Sequence, residues 1–362
     1  MPEIPGPKPG DDLSRAAAHW VRLHARLPAV LFHYTPAPGL MGILNTGRLW
    51  ATNARFMNDP SEIQYAASMV EAILKEASKK HEEEVGKLAG GIFERAFTFL
   101  RDAKYKVPKI EAWTQNAISV FDDQGGAYIC CFCRQSDLLS QWRGYGAVGG
   151  GYAIGFRSKS LSSGAADVFL RKVIYNRQTQ QQIVKRWVDG VFALDLQWRR
   201  AHKESIEAAA EKVTWQSFLE SLKTAGQGQK QLSPAVQEGL SRLREGLSRL
   251  NEGMDRFSQF LAECLVCFKD PAYYQEEEWR LIQFGKSGPK LLFRAGKGHL
   301  IPYTELTLAS VEGKPKLPIE SITYGPVLEA AMAKRSLKMI LSSNGYHEVV
   351  GRVRSSRIPY RG

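Results

Sequence analysis

The side chains best suited to chemistry fall in separated stretches of this chain. His33, Tyr34 and Thr35 close the short run Leu31-Phe32-His33-Tyr34, so an imidazole and a hydroxyl arrive at a strand end facing a tight turn. An imidazole there can exchange a proton near neutral pH or bond a ligand hydroxyl. Much later, Glu276, Glu278 and Arg280 alternate along the stretch from Tyr273 to Ile282. Read as a strand, that spacing puts two carboxylates and a guanidinium on one face, where they line a cleft or pair with one another. Arg143 carries the planar fork that takes a pyrophosphate or a carboxylate bidentately. Asp59, Glu62 and Asp137 are the carboxylates that a metal-dependent nuclease would use.

Each also has a plain structural reading. A His in a strand can be a hydrogen-bonded packing residue. Asn58-Asp59-Pro60-Ser61-Glu62 fits a capping box, with Asp59 as cap, Pro60 at the first helical position and Glu62 two further on. Trp142 reads as core, and Arg143 with Glu278 as a buried ion pair. The five cysteines lie in the apolar runs AYICCFC and LAECLVCF, without the polar turns of a zinc knuckle. They read as buried reduced thiols, and no metal is expected.

The elements that must position these groups follow from periodicity and turn signals. Residues Leu13 to Leu27 predict an amphipathic helix. After the His33 strand, Thr35 serves as cap and Pro36 as first residue of a helix that buries Leu40, Ile43 and Leu44 and stops near Gly47. Leu49 to Thr52 predicts a strand, Ser61 to about Leu100 helix, and Ala127 to Cys133 a buried strand. Ser136 caps a short helix bearing Leu139, Trp142 and Arg143, and glycines 144, 146, 149, 150 and 151 precede the strand Tyr152 to Phe156. That order, helix to strand, is the reverse of a phosphate-binding loop. Phe169 to Tyr175 predicts a strand, Thr179 to Glu263 helix broken at 223–234, and the segments Lys290 to Arg294, Ile319 to Tyr324 and Val349 to Arg354 further strands, with a helix from Leu328 to Asn344. Leu240, Leu247 and Met254, with Leu243, Leu250 and Phe257, repeat every seven residues; this seam predicts packing on its own domain or a helix-mediated dimer.

The fold class expected is α+β, with a mixed, largely antiparallel sheet core and a helical insertion. The organisation is a disordered 1–12, core halves at 13–175 and 263–362, and the insertion at 176–262. A chain of 362 residues with an apolar fraction of 44% can bury a large core. No apolar run is long enough to span a bilayer, and MPEIPGPKPG lacks a signal-peptide core, so a cytoplasmic protein with no membrane partner is expected. A net charge of +12 favours phosphates, nucleotides or nucleic acid, although the excess is spread along the chain.

The ordered series HYT (33–35), GLMGIL (39–44), NDPSE (58–62), DLLSQWRGY (137–145), GYAIGF (151–156), EEEWRLI (276–282), ITYGP (322–326), GY (345–346) and SSRIPYR (355–361) is similar to the bacterial domain-of-unknown-function family 2971 (DUF2971). More loosely, a His-x-Thr on a first strand and a Glu on a late strand resemble the His-Tyr-Glu branch of the ADP-ribosyltransferase superfamily. That resemblance implies an ADP-ribosyltransferase-like fold with NAD as substrate. His33 would bind a ribose hydroxyl, with Thr35 beside it, and Glu278 or its rival Glu276 would hold the nicotinamide ribose as its glycosidic bond breaks. The aromatic stacked on nicotinamide is left among Tyr34, Trp50, Tyr145 and Tyr152, alternation turning Tyr34 away from His33, and Arg143 would bind pyrophosphate. The expected function is ADP-ribosyl transfer to a nucleic-acid or protein acceptor, or NAD glycohydrolysis, as a toxin or phage-defence effector. The alternatives are a non-catalytic nucleotide- or partner-binding module and the metal-dependent nuclease.

Overall fold

A computed structural model describes residues 12–57, 61–88, 126–146, 150–161, 168–212, 252–253, 255–285, 290–296, 298–308, 310–311, 314–327 and 329–359. In chain order the elements are α1 (Asp12–His24), β1 (Val30–Thr35), α2 (Ala37–Thr46), β2 (Leu49–Asn53), α3 (Ser61–Leu88), β3 (Ala127–Phe132), α4 (Leu139–Tyr145), β4 (Tyr152–Arg157), α5 (Ser158–Leu161), β5 (Val168–Lys172) and α6 (Arg177–Lys212). There follow α7 (255–267), β6 (Trp279–Phe284), β7 (Leu292–Ala295), β8 (Leu300–Leu306), β9 (Ser310–Val311), β10 (Lys314–Pro315), β11 (Ile319–Tyr324), α8 (Ala330–Ser343) and β12 (Val353–Ser355).

The strands form a four-stranded sheet, β1-β4-β11-β12, a six-stranded sheet, β5-β6-β3-β2-β8-β7, and the small pair β10-β9. All pairings between named strands are antiparallel except β11 with β12, so the chain is α+β with a mixed, largely antiparallel core. The larger sheets meet along β3. That strand pairs with β2 at Tyr128 and Ile129, then with β1 through a bridge in which Phe32 and Cys133 exchange two hydrogen bonds of 2.8 Å. Cys131 lies at the change of partner.

Alternation along β3 builds a core on each of its faces. Ala127 and Ile129 join Trp20 of α1, Val70 of α3, Trp187 and Val188 of α6, and Phe260 and Leu261 of α7. Tyr128, Cys130 and Phe132 join Leu31, Ile43 and Leu44 of α2, Ile154, Phe156, Trp279, Ile322 and Leu337 of α8. Trp187 is 2% exposed and stacks on Phe260 with centroids 4.2 Å apart, so truncating it to Ala should cost about 3–5 kcal/mol.

The expected insertion at 176–262 thus starts and ends with helices that form part of the core layer. Phe257, at the heptad seam, is fully buried in that core. Residues 213–251 lie outside the described residues, as do 1–11, Asn58, Asp59, Pro60 and 89–125. No described helix is long and apolar enough to cross a membrane.

Local chemistry accounts for several boundaries. Gly47 ends α2 at φ 63, and its N–H bonds the Ile43 carbonyl, as a left-handed cap requires. Thr35, however, is the last residue of β1, and Pro36 occupies the cap without a side-chain bond. Leu138, not Ser136, precedes α4, again without a side-chain cap. The strand expected from Tyr273 begins only at Trp279. Asp270 accepts a hydrogen bond from the Ala272 N–H, and Pro271 opens a 3-10 helix over Pro271–Glu276, which Glu277 terminates at φ 43. Val349 likewise lies in a 3-10 helix, His347–Arg352, that leads into β12.

Candidate functional site

Where β3 leaves β2 for β1, the Cys131 carbonyl meets a side chain. His33 on β1 places Nδ1 2.9 Å from that oxygen and 3.6 Å from the Cys130 Sγ, with its ring 5.8 Å from that of Phe132. Because a carbonyl only accepts, Nδ1 carries the hydrogen and Nε2 is the bare acceptor. Nε2 has no hydrogen-bond partner among the described residues and is not among their buried orphaned atoms. Burial lowers the His33 pKa; the Cys131 contact opposes this and the Arg294 charge adds to it. The imidazole is therefore neutral near pH 7, with one fixed nitrogen and one open one.

The strands past the split bring further groups onto the Ile129–Cys131 face. Register places Thr52 opposite Ile129 and Tyr303, and alternation adds Trp50 and Arg294. Arg294 is half-buried and donates from Nη2 to Thr52 Oγ1 at 3.1 Å. The Trp50 and Tyr303 rings lie 4.9 Å apart at 38°. Gly42 makes room for the indole, since a Cβ there would fall 2.2 Å from it.

Glu278 belongs to a charged cluster on the helical side of β6. Arg280 grips it bidentately, Nε to Oε1 at 2.8 Å and Nη2 to Oε2 at 3.0 Å, and also reaches Glu62 Oε2 at 2.6 Å and the Val266 carbonyl at 2.8 Å. Lys269 Nζ contacts Glu62 Oε1 at 2.8 Å, Glu276 Oε2 at 2.7 Å and Glu278 Oε2 at 3.2 Å. The Cys131 thiol also hydrogen-bonds the Glu278 carboxylate. Burial pushes the Glu278 pKa up, but Arg280 and Lys269 outweigh it and hold the group at about 2. Glu276 moves the other way: burial raises it, with Glu278 and Glu62 adding to the rise against Lys269. Three carboxylates thus share two cations, and Glu276, its side chain 25% exposed, is the least enclosed.

His33 and Glu278 consequently approach Cys131 from different sides, one at its carbonyl beside Cys130 and Phe132, the other at its thiol. Residues 141–281 match the family model described as a protein of unknown function, DUF2971. That match is narrower than the motif series beginning at His33. It takes in Tyr145, Lys269, Glu276, Glu278 and Arg280, and leaves out His33, Glu62 and Arg294. No curated protein and no solved structure matches the chain, so the ADP-ribosyltransferase resemblance gains no support from these comparisons.

The remaining expected residues scatter. Thr35 is buried, with Oγ1 directed at Gly39 in the first turn of α2, and lies opposite half-buried Tyr152. Tyr34 points to the other face of β1, where its hydroxyl donates to the Gln135 carbonyl at 2.9 Å and accepts from the Leu138 N–H at 3.1 Å, fixing the loop before α4. Tyr145, the last residue of α4, is 37% exposed; partial loss of water, then the charges of Cys131, Glu278 and Glu276, raise its pKa. Arg143 is exposed and has no carboxylate partner among the described residues, so the ion pair expected with Glu278 is made by Arg280 and Lys269 instead. Asp137 is committed to Trp142 Nε1 at 2.8 Å, Ser356 Oγ at 2.5 Å and the Arg357 N–H at 2.7 Å. Glu62, expected as a helix cap, is an interior ion-pair partner. Among the described residues no group of three His, Cys, Asp or Glu side chains could hold a metal ion; Glu62 sits with Glu276 and Glu278 around Lys269 and Arg280 instead, and Asp59 lies outside the described residues.

Sequence reasoning missed Lys269, Thr52 and Arg294. Lys269 had a signal, a lone cation between the apolar helix and Asp270-Pro271. Thr52 and Arg294 had none beyond their strands.

Proposed function

We propose that the protein binds a nucleotide-class ligand, NAD foremost, at the split beside β3, and that its reaction is cleavage of the nicotinamide N-glycosidic bond, by glycohydrolysis or ADP-ribosyl transfer. The observation that carries this reading is the neutral His33 ring, oriented by the Cys131 carbonyl and offering a free Nε2. Such a nitrogen accepts a hydrogen bond from a ribose hydroxyl. The C1′–N bond then breaks with its electron pair leaving on nicotinamide, and water or an acceptor nucleophile captures the oxocarbenium-like carbon and loses a proton. Both carboxylates considered belong to the ion cluster on the thiol side of Cys131, away from His33; of the two, Glu276 is the less enclosed, Glu278 being neutralised by Arg280 and Lys269.

Nicotinamide release from NAD, with and without cell lysate as acceptor source, tests this reading. His33→Asn should abolish release, since the Asn amide can still donate to Cys131 but supplies no Nε2. Release undiminished in that variant would remove His33 from the chemistry. A second reading, binding without turnover, is favoured by the saturation of Glu278. Saturable NAD binding in calorimetry with no nicotinamide formed would select it.

A further inference from the structure

We infer that the groove between α3 and α6 binds an elongated small-molecule dianion with an apolar middle, its two acid groups held by Arg177 and Lys185. The groove lies in the helical layer, on the other face of β3 from His33, and the inference does not rest on the nicotinamide reading.

Two ties set how the helices run. Tyr65 of α3 donates its hydroxyl to Gln180 Oε1 of α6 at 2.9 Å, and further along both chains His81 Nε2 meets Asp195 Oδ2 at 2.9 Å, so the helices are parallel. At the second tie the contact is closed. The His81 ring stacks on Phe192 with centroids 4.4 Å apart, and Arg199 is neutralised by Asp195 at 2.7 Å. Around the first tie the helices leave a groove of about 570 Å³, a size that suits a small ligand. The opening follows from side-chain size: α3 turns the small Ser68 and Ala72 to it, while α6 lines it with Arg177, Gln181 and Lys185, one from each turn.

The lining sorts by chemistry. Met69 and Ile73 are buried and, with the Tyr65 ring, make an apolar floor. Arg177 and Lys185 are exposed and have no carboxylate partner among the described residues. Between them Gln181 supplies an amide, and Ser68, which accepts from Gln64 Nε2 at 3.2 Å, keeps its own O–H to donate. The carboxylate of the lining, Glu76, lies nearer the closed end than Lys185 and forms no ion pair with it. An acid group carried past Lys185 would therefore meet a like charge.

Spacing turns these groups into a specification. Arg177 and Lys185 are eight residues apart, about 12 Å of helix, with the apolar floor alongside. A compact anion can reach one cation and leaves Met69 and Ile73 uncovered. A chain with an acid at each end reaches both and covers the floor.

Calorimetric titration of the full-length protein with decanedioate at low salt tests the inference, since its extended chain matches that span. The wild type should bind saturably. Decanoate, with one acid group, and butanedioate, too short to reach both cations, should each bind more weakly by about two- to fivefold, the worth of an exposed ion pair. Arg177→Gln and Lys185→Gln should each cost decanedioate a similar factor, and the two together about tenfold. Ala72→Phe, which fills the groove, should abolish binding; if that variant does not fold, the two exposed cations carry the test. Arg186→Gln, on α6 but outside the lining, should change nothing, and excess NAD should not displace decanedioate. No saturable binding, equal binding of decanoate and decanedioate, cation variants that bind as the wild type does, or displacement by NAD would overturn the inference. Nicotinamide release bears on none of these readouts, so this site and the His33 reading fail separately.

Discussion

On the Cys130 side of β3, His33 commits one ring nitrogen to a backbone carbonyl and keeps the other. On the Cys131 side, every oxygen of Glu278 is held by Arg280, Lys269 and the thiol. Both groups are polar, both sit against apolar core, and both were candidates for the same chemistry. The difference lies in how each offsets its loss of water. A neutral ring needs one good partner and so can keep a second atom for a ligand, whereas an enclosed carboxylate must be surrounded by cations before it is stable at all. The glutamate cluster therefore joins α3, α7, the 3-10 turn and β6, while the histidine is the adaptable group.

The contrast breaks most readily at its charged end. Arg280→Met should destabilise the fold by about 3–5 kcal/mol in urea denaturation, because Glu278 and Glu62 would be left buried with Lys269 alone. A loss below about 1 kcal/mol would mean that the cluster is hydrated and not structural.

Acid probes the same end by linkage. The folded Glu278 pKa, about 2, lies below its ordinary 4.5. Its stabilisation is therefore present above pH 4.5 and lost as pH falls from there towards 2. Stability of the wild type measured across that window should fall by a few kcal/mol, and Glu278→Gln should flatten the slope. Glu276, raised in the folded state, works with the opposite sign, so Glu276→Gln should not flatten it.

At the neutral end, His33→Ala leaves the Cys131 carbonyl without its side-chain donor and should cost about 1–3 kcal/mol. His33→Asn should restore most of that stability while nicotinamide release stays lost. Equal losses of stability in the two variants would show that the Cys131 contact is not what orients the ring. The smallest effect concerns the turn that lets Glu276 and Glu278 both face Lys269. Glu277→Gly relieves a left-handed backbone in a residue whose Arg134 pair is exposed, so the unfolding free energy in urea should change by no more than about 1 kcal/mol, towards stability.

The local half of the site was legible in the sequence. The His33 strand, the helix ending at Gly47 and the shared side of Glu278 and Arg280 follow from alternation and turn residues. Partners were not, because pairing is tertiary. A capping box accounts for Glu62 within its own turn, yet its carboxylate is drawn inward by Arg280 and Lys269 from chain positions far away. The Asp270-Pro271 signal was legible and was overridden by the apparent alternation of the glutamates. Arg294 could not be singled out among many arginines, since its distinguishing property is a counter-charge that it lacks among the described residues.

The position of β6 bears on synthesis of the chain. It is hydrogen-bonded between β3 and β5, both of which precede it, with α6 and α7 intervening. At about 5–20 residues per second, a ribosome needs on the order of 5–20 s to go from the end of β5 to the start of β6. During that interval β3 and β5 expose unpaired edges flanked by Cys130, Phe132, Phe169 and Leu170. The nascent chain thus passes through a stage when it is open to aggregation and to chaperones, and the gap between β3 and β5 closes only once Phe284 has left the exit tunnel.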